Sequence, residues 1–391
     1  MNFVDKFDVK LPVDGQGPHF NTHVHVDGGT THAPSDAIIV PDADLLFHGD
    51  FKRSGVDLVL SKNDHELVLH EYFKGEKRAA LSSPDGAHLT GDLVSALTGA
   101  VDYAQADGSA GVAHVIGHVT KLAGSATAIR NGVSIILNQG DNVEKGDVIQ
   151  SGSDSTVGIT FIDGTVFGLS SNARMVLNEM VYDPNGSNNS SLISLVAGTI
   201  SFVAGETAKH GDMKIDTPVA TMGIRGTAVL VEIDFSVPGQ GGAPSANFQV
   251  LVEPDGTTGS YILFDKTTLA PIATVNQAGT LTVINGQGNV SFQTTAPLSP
   301  DAQQIIKDVF ALKFTDNTNV NPKTTFAQTD TLTPQVGPPI KLSNGTIVTP
   351  TLVVLTTSGG PQSSSGSGGT SSNNQHINLA PSVVAFGGSL T

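Results

Sequence analysis

Between residues 112 and 233, apolar and polar side chains alternate in short runs, the period-two signature of strands. Segments 117–121, 125–129, 133–137, 157–161 and 165–169 each read as one strand. So do 174–178, 191–195, 199–203, 213–215 and 228–232. Asn131-Gly132, Asp163-Gly164 and Asn185-Gly186 punctuate them, and such dipeptides favour the left-handed backbone of tight hairpin turns. Many short strands joined by tight turns predict an all-β region, either a coil-like solenoid or a compact sandwich.

The flanks differ. Residues 1–36 are polar with no sustained period and read as a flexible or loosely docked lead-in. Residues 37–111 read as a small β unit, in which strands 56–60 and 66–70 flank the polar turn 61–65, with a short helix around Asp92, Leu93, Val94, Ala96 and Leu97. After the central block of 112–233, residues 234–322 continue the β pattern at 248–252 and 281–284 and then change period. Ser299 is placed to cap a helix, Pro300 to open it, and Ala302, Ile305, Ile306, Val309 and Phe310 follow at helical spacing, which predicts a helix near 299–314. Residues 323–391 thin out into Thr and Pro, then into Ser and Gly at 358–372, a disordered linker by composition, before the strand-like run 378–391. Such a linker is expected to lead into a further domain or to end as a tail.

The chain has 391 residues with 44 glycines, 20 prolines, no tryptophan and no cysteine, a turn-rich composition suited to a mainly β fold. It holds 20 basic and 36 acidic residues, a net charge of −16, which repels phosphate backbones and anionic lipid. Nucleic acid is therefore not an expected partner. The lack of cysteine excludes disulfides, thiolate zinc sites and cysteine nucleophiles. No apolar run reaches membrane-spanning length, and the segment Met1-Asn2-Phe3-Val4-Asp5-Lys6 lacks the form of a Sec signal peptide. The chain is therefore expected to be cytosolic or to be exported by a route that reads a signal elsewhere than at this N-terminus.

Three stretches resemble the FecR-type domain family. The first is Gly146-Asp147-Val148-Ile149-Gln150-Ser151-Gly152, followed by Ser155-Thr156-Val157-Gly158-Ile159. The second is Phe161-Ile162-Asp163-Gly164-Thr165, leading into Leu169-Ser170-Ser171-Asn172-Ala173. The third runs Ile215-Asp216-Thr217-Pro218-Val219-Ala220-Thr221-Met222-Gly223-Ile224-Arg225-Gly226-Thr227. The resemblance implies an all-β, solenoid-like domain outside the cytoplasm. The familiar members are membrane-spanning regulators that relay siderophore uptake to a sigma factor. This chain lacks their transmembrane helix and their helical sigma-binding segment. It looks more like the version near the N-terminus of giant repeat-containing adhesins and related type I exported proteins, as in Asn172-Ala173-Arg174-Met175-Val176-Leu177 and the linker at 358–372. That version implies a structural or interaction module at the cell surface, with protein partners or self-association at the envelope; the alternative is an envelope regulator acting through a protein partner.

Read on its own residues, the third stretch is a bend. Pro218 fixes φ and biases Thr217 toward extended backbone, and Gly223 and Gly226 bracket Arg225, the one basic residue between 215 and 233. Arg225 is expected to lock the bend on Asp216, on Asp163 or on backbone carbonyls, with recognition of an anion or partner as the alternative. Asp163 reads most simply as a turn residue before Gly164. His19, His23, His25 and His32 cluster in sequence, and His23 and His25 share the i, i+2 spacing that puts two imidazoles on one strand face. A solvated tail is the plainer reading, and the pair is only a weak metal candidate. The segment 183–189 carries oxygen-bearing side chains that suit calcium but lacks a closing bidentate Glu. No other cofactor is expected. The chain has no G-x-S-x-G, H-E-x-x-H, P-loop or strand-borne G-x-G-x-x-G, so a non-enzymatic role is expected.

Overall fold

The structure, a computed structural model, describes residues 33–75, 77–99, 114–226, 228–235, 244–254, 256–276, 278, 280–294 and 298–314, together with the backbone of strands at Asp330–Val336, Ile340–Lys341, Ile347–Val348 and Thr351–Thr357. The fold is mainly β, as the alternation predicts. The linker 358–372 and the run 378–391 lie outside the described residues.

The first unit holds β1 (Ile38–Ile39), α1 (Ala43–His48), β2 (Asp50–Ser54), β3 (Asp57–Lys62), β4 (His65–Leu69), β5 (Leu81–Ser82), β6 (His88–Leu89) and α2 (Gly91–Leu97). Strands β2, β3 and β4 form an antiparallel meander whose Leu58, Leu60, Leu67 and Leu69 point into the core. Helix α1 falls where no helix is expected, because six residues are too few to show a period. It starts where the Asp42 carboxylate accepts from the backbone N–H groups of Asp44 and Leu45. Helix α2 matches the expected one, with the Thr90 hydroxyl accepting from Leu93 N–H.

The rest is built from β7 (Val115–Ala123), β8 (Ala126–Arg130), β9 (Val133–Ile136), β10 (Asn142–Glu144), β11 (Val148–Ser151), β12 (Thr156–Phe161), β13 (Val166–Leu169), β14 (Arg174–Val181) and β15 (Ser190–Val203). After the short α3 (Glu206–His210) come β16 (Asp212–Asp216), β17 (Ala220–Arg225), β18 (Ala228–Phe235), β19 (Pro244–Leu251), β20 (Ser260–Asp265), β21 (Pro271–Val275), β22 (Thr280–Ile284), β23 (Val290–Thr294) and α4 (Pro300–Lys313). One sheet has the order β9-β8-β11-β14-β15-β16-β17-β20-β21, continued by Thr351–Thr357 and Asp330–Val336. The second has the order β10-β7-β12-β13-β15-β18-β19-β22-β23. The chain steps back and forth between the sheets while advancing along both, so it is solenoid-like in progression and sandwich-like in section. Tyr261 of the first sheet ties the layers, its hydroxyl donating to Phe248 O at 3.1 Å across the core.

Strand β15 belongs to both sheets. Its first half pairs with β14 and β16, and its second half with β13 and β18. The sequence pattern predicts two strands here, broken around residues 196–198. The chain instead kinks and continues, because Gly198 takes φ +86° and lies where a Cβ would sit 2.5 Å from Ala173 Cα.

Helix α4 starts as its sequence predicts, with the Ser299 hydroxyl accepting from Ala302 N–H and Pro300 in the first turn. It lies on the outer face of the second sheet, where Ala302, Ile305, Ile306, Val309 and Phe310 pack on Val166, Val203, Ala228, Leu230 and Leu251. Strands β13 and β18 are thus covered on both faces, which is why their residues run almost continuously apolar. The first unit docks elsewhere. Arg174 of β14 donates to Gly49 O at 2.7 Å, Phe47 of α1 meets the Phe235 ring at 5.8 Å, and His88 N–H donates to Pro218 O at 2.8 Å.

Candidate interaction surface

Each of the three family-like stretches carries an aspartate, and the fold uses each to hold a turn. Asp147, 1 % exposed, receives the Arg130 guanidinium in a two-pronged pair at 2.8 and 2.7 Å, while Arg130 also reaches Glu144 at 2.6 Å. The paired carboxylates raise the Arg130 pKa, the Asp147 hydrogen bond foremost, so the guanidinium stays charged. Asp163 accepts from Thr165 N–H and Thr165 Oγ1, each at 2.9 Å, and from Thr207 N–H of α3 at 3.3 Å. It is therefore the joint between the turn at Gly164 and the start of α3, more than the simple turn residue that its sequence context indicates. Replacing Asp163 with Ala leaves these donors unpaired in a buried place and should cost at least about 2 kcal/mol in chemical denaturation.

Asp216 pairs with Lys266 at 2.8 Å and accepts from the Thr221 hydroxyl, also at 2.8 Å. Lys266 additionally donates to Thr217 O, and Thr217 closes the β16–β17 hairpin by bonding Ala220 O. Pro218 sits buried at the tip of that hairpin. The expected bend at Gly223 is not there: Gly223 lies inside β17, paired with Lys214 and Ile262. The turn comes at Gly226, whose φ is +44°. Of the partners open to Arg225, the structure shows a backbone carbonyl, Gly211 O, at 2.8 Å.

His23 and His25 lie outside the described residues. In the 183–189 loop the Asp183 carboxylate accepts from Asn185 N–H, and Asn189 bonds the Asp183 backbone in both directions, so these polar groups close the loop on itself. Among the described residues, no three His, Asp or Glu side chains gather as a metal site, and no helix is long and apolar enough to cross a membrane.

The motif residues turn inward. Among the described residues the most exposed apolar strand is β9, with Ile136 at 73 % and Val133 at 62 % exposure. Among the described residues this strand lies at the edge of the first sheet, paired with β8. The sequence alternation identifies it as a strand but cannot say that it ends a sheet, because edge position depends on pairings distant in the chain.

No curated protein matches the chain. Two crystal structures described as a candidate anti-sigma factor from Parabacteroides distasonis ATCC 8503 show a slight likeness, each at 14% identity and TM-score 0.29 over 41% of this chain. The chain spans less than two thirds of their length, 64% and 62% respectively. The likeness is too slight to bear on function. What the comparisons do establish is narrower: the family model described as FecR protein matches residues 147–241, the stretch that contains Asp147, Asp163, Asp216 and the turn after Arg225.

Proposed function

We propose that this chain is a non-enzymatic interaction module of an envelope signalling or regulatory system, acting through a protein partner. The supporting observation is the FecR match over residues 147–241, whose aspartates hold turns and leave the exposed strands for recognition. The proposed setting is outside the cytoplasm, where such domains meet receptor or relay proteins. Calorimetric titration of the whole chain against any sigma factor and any outer-membrane receptor domain found encoded beside it tests the reading. Saturable binding to either is the expected result, and heatless titrations with both would overturn it.

The adhesin-associated version is a second reading, favoured by the Ser- and Gly-rich run at 358–372. It predicts tandem repeats in the reading frame beyond Thr391 and export genes nearby, whereas a neighbouring sigma-factor gene favours the regulatory role.

A further inference from the structure

The loop between β14 and β15 contains Asp183-Pro184, the one Asp-Pro step in the chain. Such a bond is chemically weak. The Asp carboxyl reaches the carbon of its own peptide carbonyl by closing a small ring, and the proline nitrogen, part of a tertiary amide, departs as a basic secondary amine. In an unfolded chain the reaction is slow, because the carboxyl samples many rotamers and nothing fixed stabilises the charge that develops on the carbonyl oxygen.

Here the fold supplies both elements. The Asp183 carbonyl oxygen accepts from Gly186 N–H at 3.0 Å and from Asn189 Nδ2 at 3.1 Å. These donors stay on the oxygen as its carbon becomes tetrahedral, the arrangement of an oxyanion hole. An ordinary turn supplies one donor, from the fourth residue's backbone; the second, from Asn189, sets this loop apart. Asn189 is itself fixed. It is 7 % exposed, takes Asp183 N–H on Oδ1 at 2.8 Å, and its backbone carbonyl accepts from Asp212 N–H of β16. The attacking group is held as well. Oδ1 of Asp183 accepts from Asn185 N–H at 2.9 Å, which folds the carboxyl back over the Asp183–Pro184 peptide. Among the described residues nothing donates to Oδ2. Gly186 leaves that oxygen room, since a Cβ there would lie 3.1 Å from it.

We propose that the chain cuts its own Asp183–Pro184 bond. In the carboxylic acid form, Oδ2 bonds to the Asp183 carbonyl carbon, the bond from that carbon to the Pro184 nitrogen breaks, and the carboxyl proton passes to the departing nitrogen. Water then opens the cyclic anhydride, leaving Asp183 as a new C-terminus and Pro184 as a new N-terminus. The halves stay joined, because Met180 and Val181 of β14 pair with Ser191 and Ser190 of β15, which runs on into both sheets. The cut turns one chain into a two-piece fold. This inference goes beyond the regulatory reading and does not rest on it.

The test incubates the purified full chain in mildly acidic buffer with protease inhibitors, folded in one sample and unfolded in urea in another. Denaturing electrophoresis and intact-mass spectrometry follow the fragments. The expected products end at Asp183 and begin at Pro184, and form about 100-fold faster or more in the folded chain than in urea. Asp183→Asn keeps an oxygen for Asn185 N–H but removes the attacking carboxyl, and should abolish the cut. Asn189→Ala removes one oxyanion donor and should slow the cut by about 100-fold. Cleavage no faster in the folded chain than in urea, or a parental rate in either variant, would overturn the proposal.

Discussion

Lys266→Met is expected to lower unfolding stability by about 3–5 kcal/mol, because it strands a carboxylate that the fold has taken out of water. Lys266 is 1 % exposed by side chain, and its partner Asp216 is 13 % exposed. In the variant the Thr221 hydroxyl still donates to Asp216, but a neutral donor does not replace an ammonium at 2.8 Å. Lys266 also releases the carbonyl of Thr217, in the loop that closes the β16–β17 hairpin. The double variant Asp216→Leu with Lys266→Met separates the two contributions. It removes both charges together, and buried pairs replaced by apolar side chains are often neutral or stabilising. Urea denaturation should therefore show the double variant recovering most of the stability lost in Lys266→Met. If Lys266→Met alone unfolds at the parent midpoint, the pair does not hold the hairpin.

That pair also marks how far the sequence can be read. The Asp216 stretch stands out by its spacing, yet its partner comes from the end of β20, 50 residues later. No local pattern links an Asp to one Lys among many; the pairing follows from β17 lying beside β20. Features set by neighbouring residues were readable: the Ser299 cap and apolar spacing of α4, the β3–β4 hairpin, and the Asn131-Gly132 turn with both residues at positive φ. Features set by long-range pairing were not, including the passage of β15 between sheets, the edge position of β9 and the carbonyl that receives Arg225. The position of the bend moved for a related reason. Gly223 looks like a turn residue in sequence, but an added Cβ there would sit 3.1 Å from the Phe264 ring, so its smallness serves packing. The candidate site was less legible than the fold, because family-like motifs draw attention to residues whose side chains face inward.

The second large effect is expected at the seam between the first unit and the sheets. Phe47→Ala should cost about 3–5 kcal/mol, since the ring is wholly buried in the shared core and its loss leaves a cavity beside Phe235. The neighbouring His48 adds a pH dependence at the same place. Its ring lies 4.2 Å from that of Phe235, and burial, followed by the nearby Lys62 charge, lowers its pKa, against the opposing pull of Asp44; Arg174 lowers it further. In the unfolded chain this histidine titrates near its ordinary value of about 6.5. As pH falls through that value the unfolded state takes up a proton that the folded state resists, so stability declines until the lowered folded pKa is passed. The contribution is fully present above the ordinary value and lost below it. His48→Asn should flatten that part of the stability profile between mildly alkaline and mildly acidic pH, while leaving the profile outside the window unchanged. Limited proteolysis gives the matching structural measurement: cleavage in β2 and α1 should quicken on acidification in the parent chain and in Phe47→Ala at any pH, but respond less to acid in His48→Asn. Equal acid sensitivity in parent and His48→Asn would assign the titration to another group at the seam.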